Sequence, residues 1–256
     1  MSKKQGASKE ELSNFRNNLI LKRKELEFKQ WVKYCKDLFQ VLESQGTLKN
    51  NQLKGELSEI ILEQYLKELQ EALSQKGINS TIIKNLGLVH RSETNDVLYS
   101  SEIDLCLATP YRCYLFEVKS YSGKKTLTKE CYLKGTSEID IFSQSKTHLD
   151  FFEMLFDDCR IKYTLGRQGL KSPYKLMFFE CSTEPVIDKR EQKWKDSVPY
   201  VNTGNIFKWF AEEIDPNQKY QWDLDKLNKR FKQLDENRDL IMQYHVQRLQ
   251  KKQEKD

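Results

Sequence analysis

Two carboxylates and an ammonium fall at short, regular spacing in the stretch from Ser100 to Lys124, SSEIDLCLATPYRCYLFEVKSYSGK. Asp104 sits in the run Glu102-Ile103-Asp104-Leu105-Cys106-Leu107, which alternates polar and apolar residues. Glu117 and Lys119 are two apart in the run Tyr111 to Tyr121, which is rich in aromatic and β-branched residues. Both runs have the pattern of half-buried strands. Thr109-Pro110 breaks them apart, since proline fixes φ and lacks the N–H that a central ladder needs. The expected unit is an antiparallel hairpin. Residues two apart share a face, so Glu102, Asp104 and Cys106 form one set and Glu117 and Lys119 another. If Ala108 lies opposite Cys113, Asp104 falls opposite Glu117. Such a cluster is costly to bury unless a cation neutralises the carboxylates. Two hard oxygen ligands beside a lysine suit a Mg²⁺-dependent hydrolytic site acting on phosphate esters. Taken singly, each residue also fits an ordinary solvent-facing charge. The flanking Ile103, Leu105, Leu115 and Phe116 argue for strands covered on at least one face.

The rest of the chain must position that hairpin. Its 256 residues allow one domain with helical extensions, or two small domains. A mean hydropathy of −0.76 suits long exposed helices. The net charge of +5 permits a nucleic-acid partner without requiring one. No apolar run approaches membrane-spanning length, and the lysine-containing N-terminus lacks a signal-type apolar segment, so no membrane partner is expected and the cytoplasm is the default. Six cysteines show neither CxxC nor zinc-ligand spacing, and a structural zinc site is not expected. Cys106 and Cys113 could approach each other across the hairpin as small buried thiols.

Helical spacing covers residues 8–45, through Leu12, Phe15, Leu19 and Leu26 and then Trp31, Cys35, Leu38, Phe39 and Leu42, with Gly46 as the stop. Lys22-Arg23-Lys24 on this stretch reads as a solvated face before it reads as a phosphate contact. A second helix is expected over 50–75. Gly55 near its start costs roughly 1 kcal/mol against alanine, and a close backbone approach would explain it. Glu56 follows, either as a first-turn acid favoured by the helix dipole or as a residue aimed at the sheet. A strand is expected over 80–90, then a polar loop over 91–96. Residues 122–142 read as irregular, with a short strand at Cys131-Tyr132-Leu133. A helix over 141–159 puts Gln144 and His148 on one face. Tyr174 to Glu180 reads as a central strand. A short amphipathic helix over 205–214 and a long one from Asp223 onward complete the chain. That last helix would pack on the N-terminal one or join a second copy as a short coiled coil, with intrachain packing preferred.

The order of these parts, helix with Glu56, strand, strand with Asp104, strand with Glu117-Val118-Lys119, helix with Gln144, strand, resembles the αβββαβ core of the PD-(D/E)XK nuclease superfamily. More closely, it is similar to the nuclease-related domain family, NERD. The residues that carry the resemblance are Gly55-Glu56, Glu102-Ile103-Asp104, Glu117-Val118-Lys119 followed by Gly123, and Gln144 with His148, over about residues 52–160. Leu105 stands where the family usually has histidine, and Tyr111-Arg112 where it has a glycine. The resemblance implies an α/β, restriction-endonuclease-like core with a central mixed sheet; the long N- and C-terminal helices that flank it are read from their spacing and lie outside the match. The corresponding domains are 1–49, 50–185 and 186–256. It implies metal-assisted phosphodiester hydrolysis, with nucleic acid, DNA ahead of RNA, as partner and Mg²⁺ or Mn²⁺ as cofactor. Asp104, Glu117 and the carbonyl of Val118 would hold the metal, and Glu56 would complete its shell. Lys119 would orient the attacking water or stabilise developing charge, and Gln144 would support from behind. Lys124, Lys125 and His148 would contact the nucleic acid. Two other readings stay open: a nuclease-like fold that binds without cleaving, and a helical interaction protein whose sheet is scaffold.

Overall fold

The helical stretch expected over 8–45 forms two helices, because the backbone at Leu26 is extended. In the computed structural model, α1 (Lys9–Glu25) ends there, and α2 (Phe28–Gln45) begins afresh. Ser8 caps α1 in a reciprocal box with Glu11. Gly46, at a left-handed φ of 58°, ends α2. The structure describes residues 6–91, 98–121, 123–134, 138–161, 172, 174–181, 186–214, 219–241, 243, 246 and 247. The expected polar loop over 91–96 and the C-terminal end of the last helix lie mainly outside these.

After α3 (Leu48–Gln75) come β1 (Thr81–Arg91), β2 (Leu98–Ala108) and β3 (Cys113–Lys119). Three short strands follow, β4 (Lys125–Leu127), β5 (Tyr132–Lys134) and β6 (Glu138–Asp140), then α4 (Ile141–Phe156) with a 3₁₀ turn at Asp157–Cys159. The chain continues through β7 (Tyr174–Glu180), β8 (Val186–Asp188), α5 (Gln192–Ser197), β9 (Tyr200–Asn202), α6 (Ile206–Glu213) and α7 (Leu224–Glu236). A five-stranded sheet has the order β1-β2-β3-β7-β9, antiparallel through β3 and parallel between β7 and β9. The expected order of α3, β1, β2, β3, α4 and β7 is present, around a central mixed sheet with helices before and after it. Residues 122–142, expected to be mostly irregular, instead supply three strands of a second sheet, β6-β5-β4-β8. The short strand expected at Cys131-Tyr132-Leu133 is β5, while β4 and β6, at three residues each, are too short to show a period.

Two compact units can be separated, one of Met1–Lys67, Val118–Ile141 and Phe178–Phe207, the other of Glu68–Glu117, Phe142–Met177 and Lys208–Asp256. In the first, Trp31, Cys35 and Phe39 of α2 and Leu57, Ile60 and Ile61 of α3 are buried. Phe28 packs edge-on against Tyr65, which also meets Phe207. In the second, Tyr114 and Phe116 of β3 pack against Phe210 of α6. Phe152 and Phe156 of α4 stack on each other and meet Trp222 and Phe231. The last helix, capped by the Asp223 side chain, packs on β1. All six cysteines are free thiols and buried, and Cys113 lies in hydrogen-bond contact with Cys106, as the hairpin spacing suggested. Among the described residues, no helix is long and apolar enough to cross a membrane.

Phe210 is 1% exposed and meets three aromatic rings, so Phe210→Ala leaves a cavity that β3 and α6 cannot close. A loss of about 3–5 kcal/mol in unfolding free energy is expected by denaturant titration, against under about 0.5 kcal/mol for the exposed Lys208→Ala.

Candidate active site

The turn between β2 and β3 sets the site's register. Thr109 and Arg112 close it: the Thr109 amide donates to the Arg112 carbonyl at 3.0 Å, and the Arg112 amide donates to the Thr109 hydroxyl at 3.1 Å. Ala108 then pairs with Cys113, and the ladder runs through Leu107↔Tyr114 and Cys106↔Leu115 to Leu105↔Phe116. The ladder ends there, one residue before Glu117 on β3 and one residue after Asp104 on β2. The condition set on the sequence, Ala108 opposite Cys113, is therefore met.

Glu117 is 6% exposed, which is unusual for a carboxylate and requires partners. Gln144, one turn into α4, donates through Nε2 to Glu117 Oε1 at 2.6 Å. His148, one turn further on the same face, puts Nε2 3.1 Å from Glu117 Oε2, close enough for an ion pair but off the line of a hydrogen bond. The other ring nitrogen, Nδ1, lies 2.7 Å from the Ser101 hydroxyl. This Ser101-His148-Glu117-Gln144 chain fixes the carboxylate from two sides. His148 was expected at the nucleic acid; at 6% exposure it belongs instead to the support of Glu117.

Sequence reasoning passed over Ser101 because strict alternation from Asp104 assigns it to the opposite face. It also passed over Asn85, which the flanking pairs Lys84↔Leu105 and Leu86↔Ile103 place across from Asp104. Asn85 has a φ of 47°, a left-handed conformation that asparagine tolerates better than most residues. An asparagine inside an otherwise apolar strand pattern was the available signal.

Val118 and Lys119 complete β3, and the Lys119 carbonyl accepts from the Cys181 amide at 3.3 Å. Lys124 is exposed, as a backbone-contacting lysine should be. Lys125 is not. It is 1% exposed, with its ammonium 2.7 Å from Glu180 and donating to the Tyr121 carbonyl. The expected role of Lys125 in holding nucleic acid is corrected: it is the cationic half of a buried pair. Burial pulls the nearby Lys54 ammonium below its ordinary value; Glu43 opposes that shift and Lys125 adds to it.

Glu56 falls on the ninth residue of α3, beyond the first turn, so the helix-dipole reading does not apply. Arg16 of α1 pairs with it and, at 2.7 Å, with Glu63. Burial pulls the Arg16 guanidinium down, but Glu56 and Glu63 together raise it above its ordinary value. The close approach expected at Gly55 is absent: a β-carbon built there would meet nothing within 4 Å.

Among the described residues, no three His, Cys, Asp or Glu side chains converge as a ready-made metal cage. The candidate donor set is the Asp104 and Glu117 carboxylates, each next to the last ladder pair, and the adjacent Val118 carbonyl. That set fits a hard cation such as Mg²⁺ or Mn²⁺, which is often held by one or two carboxylates with water completing its shell. It does not resemble the closed Cys/His set of structural zinc.

A mixed α/β sheet with this carboxylate pair and trailing lysine defines a nuclease-like class of fold. Residues 54–179, just under half of the chain, match the nuclease-related domain, NERD, a match consistent with the PD-(D/E)XK superfamily. No curated protein matches the chain. A crystal structure of a protein of unknown function, AF1548, is similar at 10% identity with a TM-score of 0.26. The match covers 53% of this chain and about half, 54%, of that one, and at that score it carries no argument.

The buried Lys125–Glu180 pair gives a test of the correction. Lys125→Met should cost about 3–5 kcal/mol in unfolding free energy, because it removes the ammonium beside the buried Glu180 carboxylate. Adding Glu180→Leu should recover most of that loss, measured by denaturant titration of single and double variants.

Proposed function

We propose that this protein is a metal-dependent nuclease that hydrolyses phosphodiester bonds, with DNA as its substrate class. The observation that supports the reading is the β2–β3 register, whose last pair, Leu105↔Phe116, stands next to Asp104 and Glu117, within the segment that matches the nuclease-related domain. Asp104, Glu117 and the Val118 carbonyl would hold Mg²⁺ or Mn²⁺. Bound there, the cation polarises the scissile phosphate and lowers the pKa of a water.

The chain's own residues do the rest. Gln144 donates to one Glu117 oxygen and His148 flanks the other, which keeps the carboxylate from rotating away from its ligand position. Ser101 fixes the His148 ring. The Lys119 ammonium, a compact charge on a flexible stem, orients the water or stabilises negative charge as the phosphorane-like state develops. Lys124 and the exposed basic helix faces neutralise backbone phosphates, so binding weakens with salt and depends little on sequence.

Cleavage of supercoiled, linear and single-stranded DNA, and of RNA, by the purified protein tests this reading. Cutting should require Mg²⁺ or Mn²⁺ and stop in EDTA. Asp104→Ala, Glu117→Gln and Lys119→Ala, each shown to be folded, should lower the rate by about a hundredfold or more. RNA cut in preference to DNA would change the substrate class. No cutting under any condition, with nucleic-acid affinity equal in wild type and variants, would replace the nuclease by a non-cleaving binder on the same fold.

A further inference from the structure

The Ser101-His148-Glu117 chain joins residues that regular strands would hold apart. Phe116 pairs with Leu105, so Glu117, its neighbour on β3, belongs to the face opposite Leu105. Ser101 is four residues from Leu105 on β2, and even spacing would put it on the Leu105 face. One imidazole nevertheless meets both, with Nδ1 2.7 Å from the Ser101 hydroxyl and Nε2 3.1 Å from Glu117. The pleat of β2 therefore does not run regularly from Leu105 to Ser101.

Its neighbour β1 shows where the regularity is lost. The β1–β2 ladder is paired at Lys84↔Leu105 and again at Leu86↔Ile103, and it passes over Asn85 and Asp104 between them. No residue is gained or lost across that gap, so it is not a bulge. Of the two non-glycine residues with positive φ among those described, Cys131 stands before β5, while Asn85, at 47°, lies inside β1. Strand residues have φ of roughly −120° to −140°, so the peptide planes beside Asn85 are rotated out of the pleat. The β2–β3 ladder stops at the same level, with Leu105↔Phe116 as its last pair. The crevice that Asn85 lines with Phe231, Leu234 and Arg238 is about 10 Å³, room for no more than one water, so no ligand accounts for the residue.

We propose that Asn85 is a positioning residue, a left-handed pivot that turns the β1–β2 ribbon at Asp104 so that Ser101 reaches His148 and, through it, steadies Glu117. Asparagine suits the post because its short polar side chain tolerates a positive φ that β-branched neighbours such as Ile82 and Ile83 could not adopt. The pivot serves catalysis on the reading of Asp104 and Glu117 as the metal's carboxylates. Backbone held out of its favoured region beside reacting groups is a recurrent feature of functional sites.

Histidine ring NMR of the full chain, at fixed pH and without metal, tests the pivot apart from activity. The chain has three histidines, and His148→Gln identifies the signals of His148. Ser101→Ala marks the position those signals take once the hydroxyl is gone. Asn85→Val, strained at a left-handed φ, should move them to that position, and Asn85→Gly should leave them where the wild type has them. In the cleavage assay, Asn85→Val should lower kcat by about ten- to a hundredfold with KM for DNA little changed, and Asn85→Gly should recover most of that loss. Should the Asn85→Val protein not fold, Asn85→Ala takes its place in both measurements. His148 signals that ignore the substitution, an Asn85→Gly protein that shifts as far as Asn85→Val, or an Asn85→Val protein that cuts at the wild-type rate each overturn the pivot and leave the nuclease standing. Absence of cutting in every protein, with the His148 signals moving as expected, removes the nuclease and keeps the pivot.

Discussion

The four residues Thr109 to Arg112 hold the site's geometry, because they decide which residue of β2 faces which residue of β3. They are fixed from several directions at once. The Pro110 carbonyl accepts from the amides of Gln221 and Trp222, and the Tyr111 carbonyl accepts from Gln221 Nε2. Arg112 is 3% exposed, pairs with Glu213 and donates through Nε to the Ser172 carbonyl. A slip of one residue would turn every side chain of β3 to the other face and separate Glu117 from α4. Register in this hairpin is thus set by the tertiary neighbours of its turn as much as by the turn's own residues. A buried arginine with one carboxylate partner is an expensive device, and its use here matches what depends on it.

Charge is handled differently in the two units. Around Glu117 the partners are an amide, an imidazole and a hydroxyl, which fix the carboxylate while leaving lone pairs for another ligand. Around Lys125 and Glu180 the arrangement is closed, a cation and an anion both at 2% exposure or less with little capacity left over. The first pattern suits a group that must be available and well aimed. The second suits a group that must stay where it is.

Much of this was legible in the sequence, and the exceptions share a cause. The hairpin, Gln144 beside Glu117 and the central strand Tyr174–Glu180 all followed from periodicity and from the spacing of a few residue types. Lys125 and His148 were misassigned because a lysine or histidine near a site has the same letter whether it faces solvent or a buried glutamate; only the distant Glu180 and Ser101 decide. Ser101 itself was hidden by the rule of alternation. Gly55 is a glycine within a helix that no neighbouring atom among the described residues explains.

The small sheet has one property that bears on how the chain is made. Its strand β4 pairs antiparallel with β5, which follows at once, but parallel with β8, which comes only after α4 and β7. The ion pair inside it has the same delay, since Lys125 precedes Glu180 by the whole of that segment. During synthesis from the N-terminus, the β4-β5-β6 hairpins emerge with an open edge and a lysine that has no anion to be buried with. The second sheet can close only once residue 188 has left the ribosome, after α4 and β7 have emerged and before β9 can complete the larger sheet.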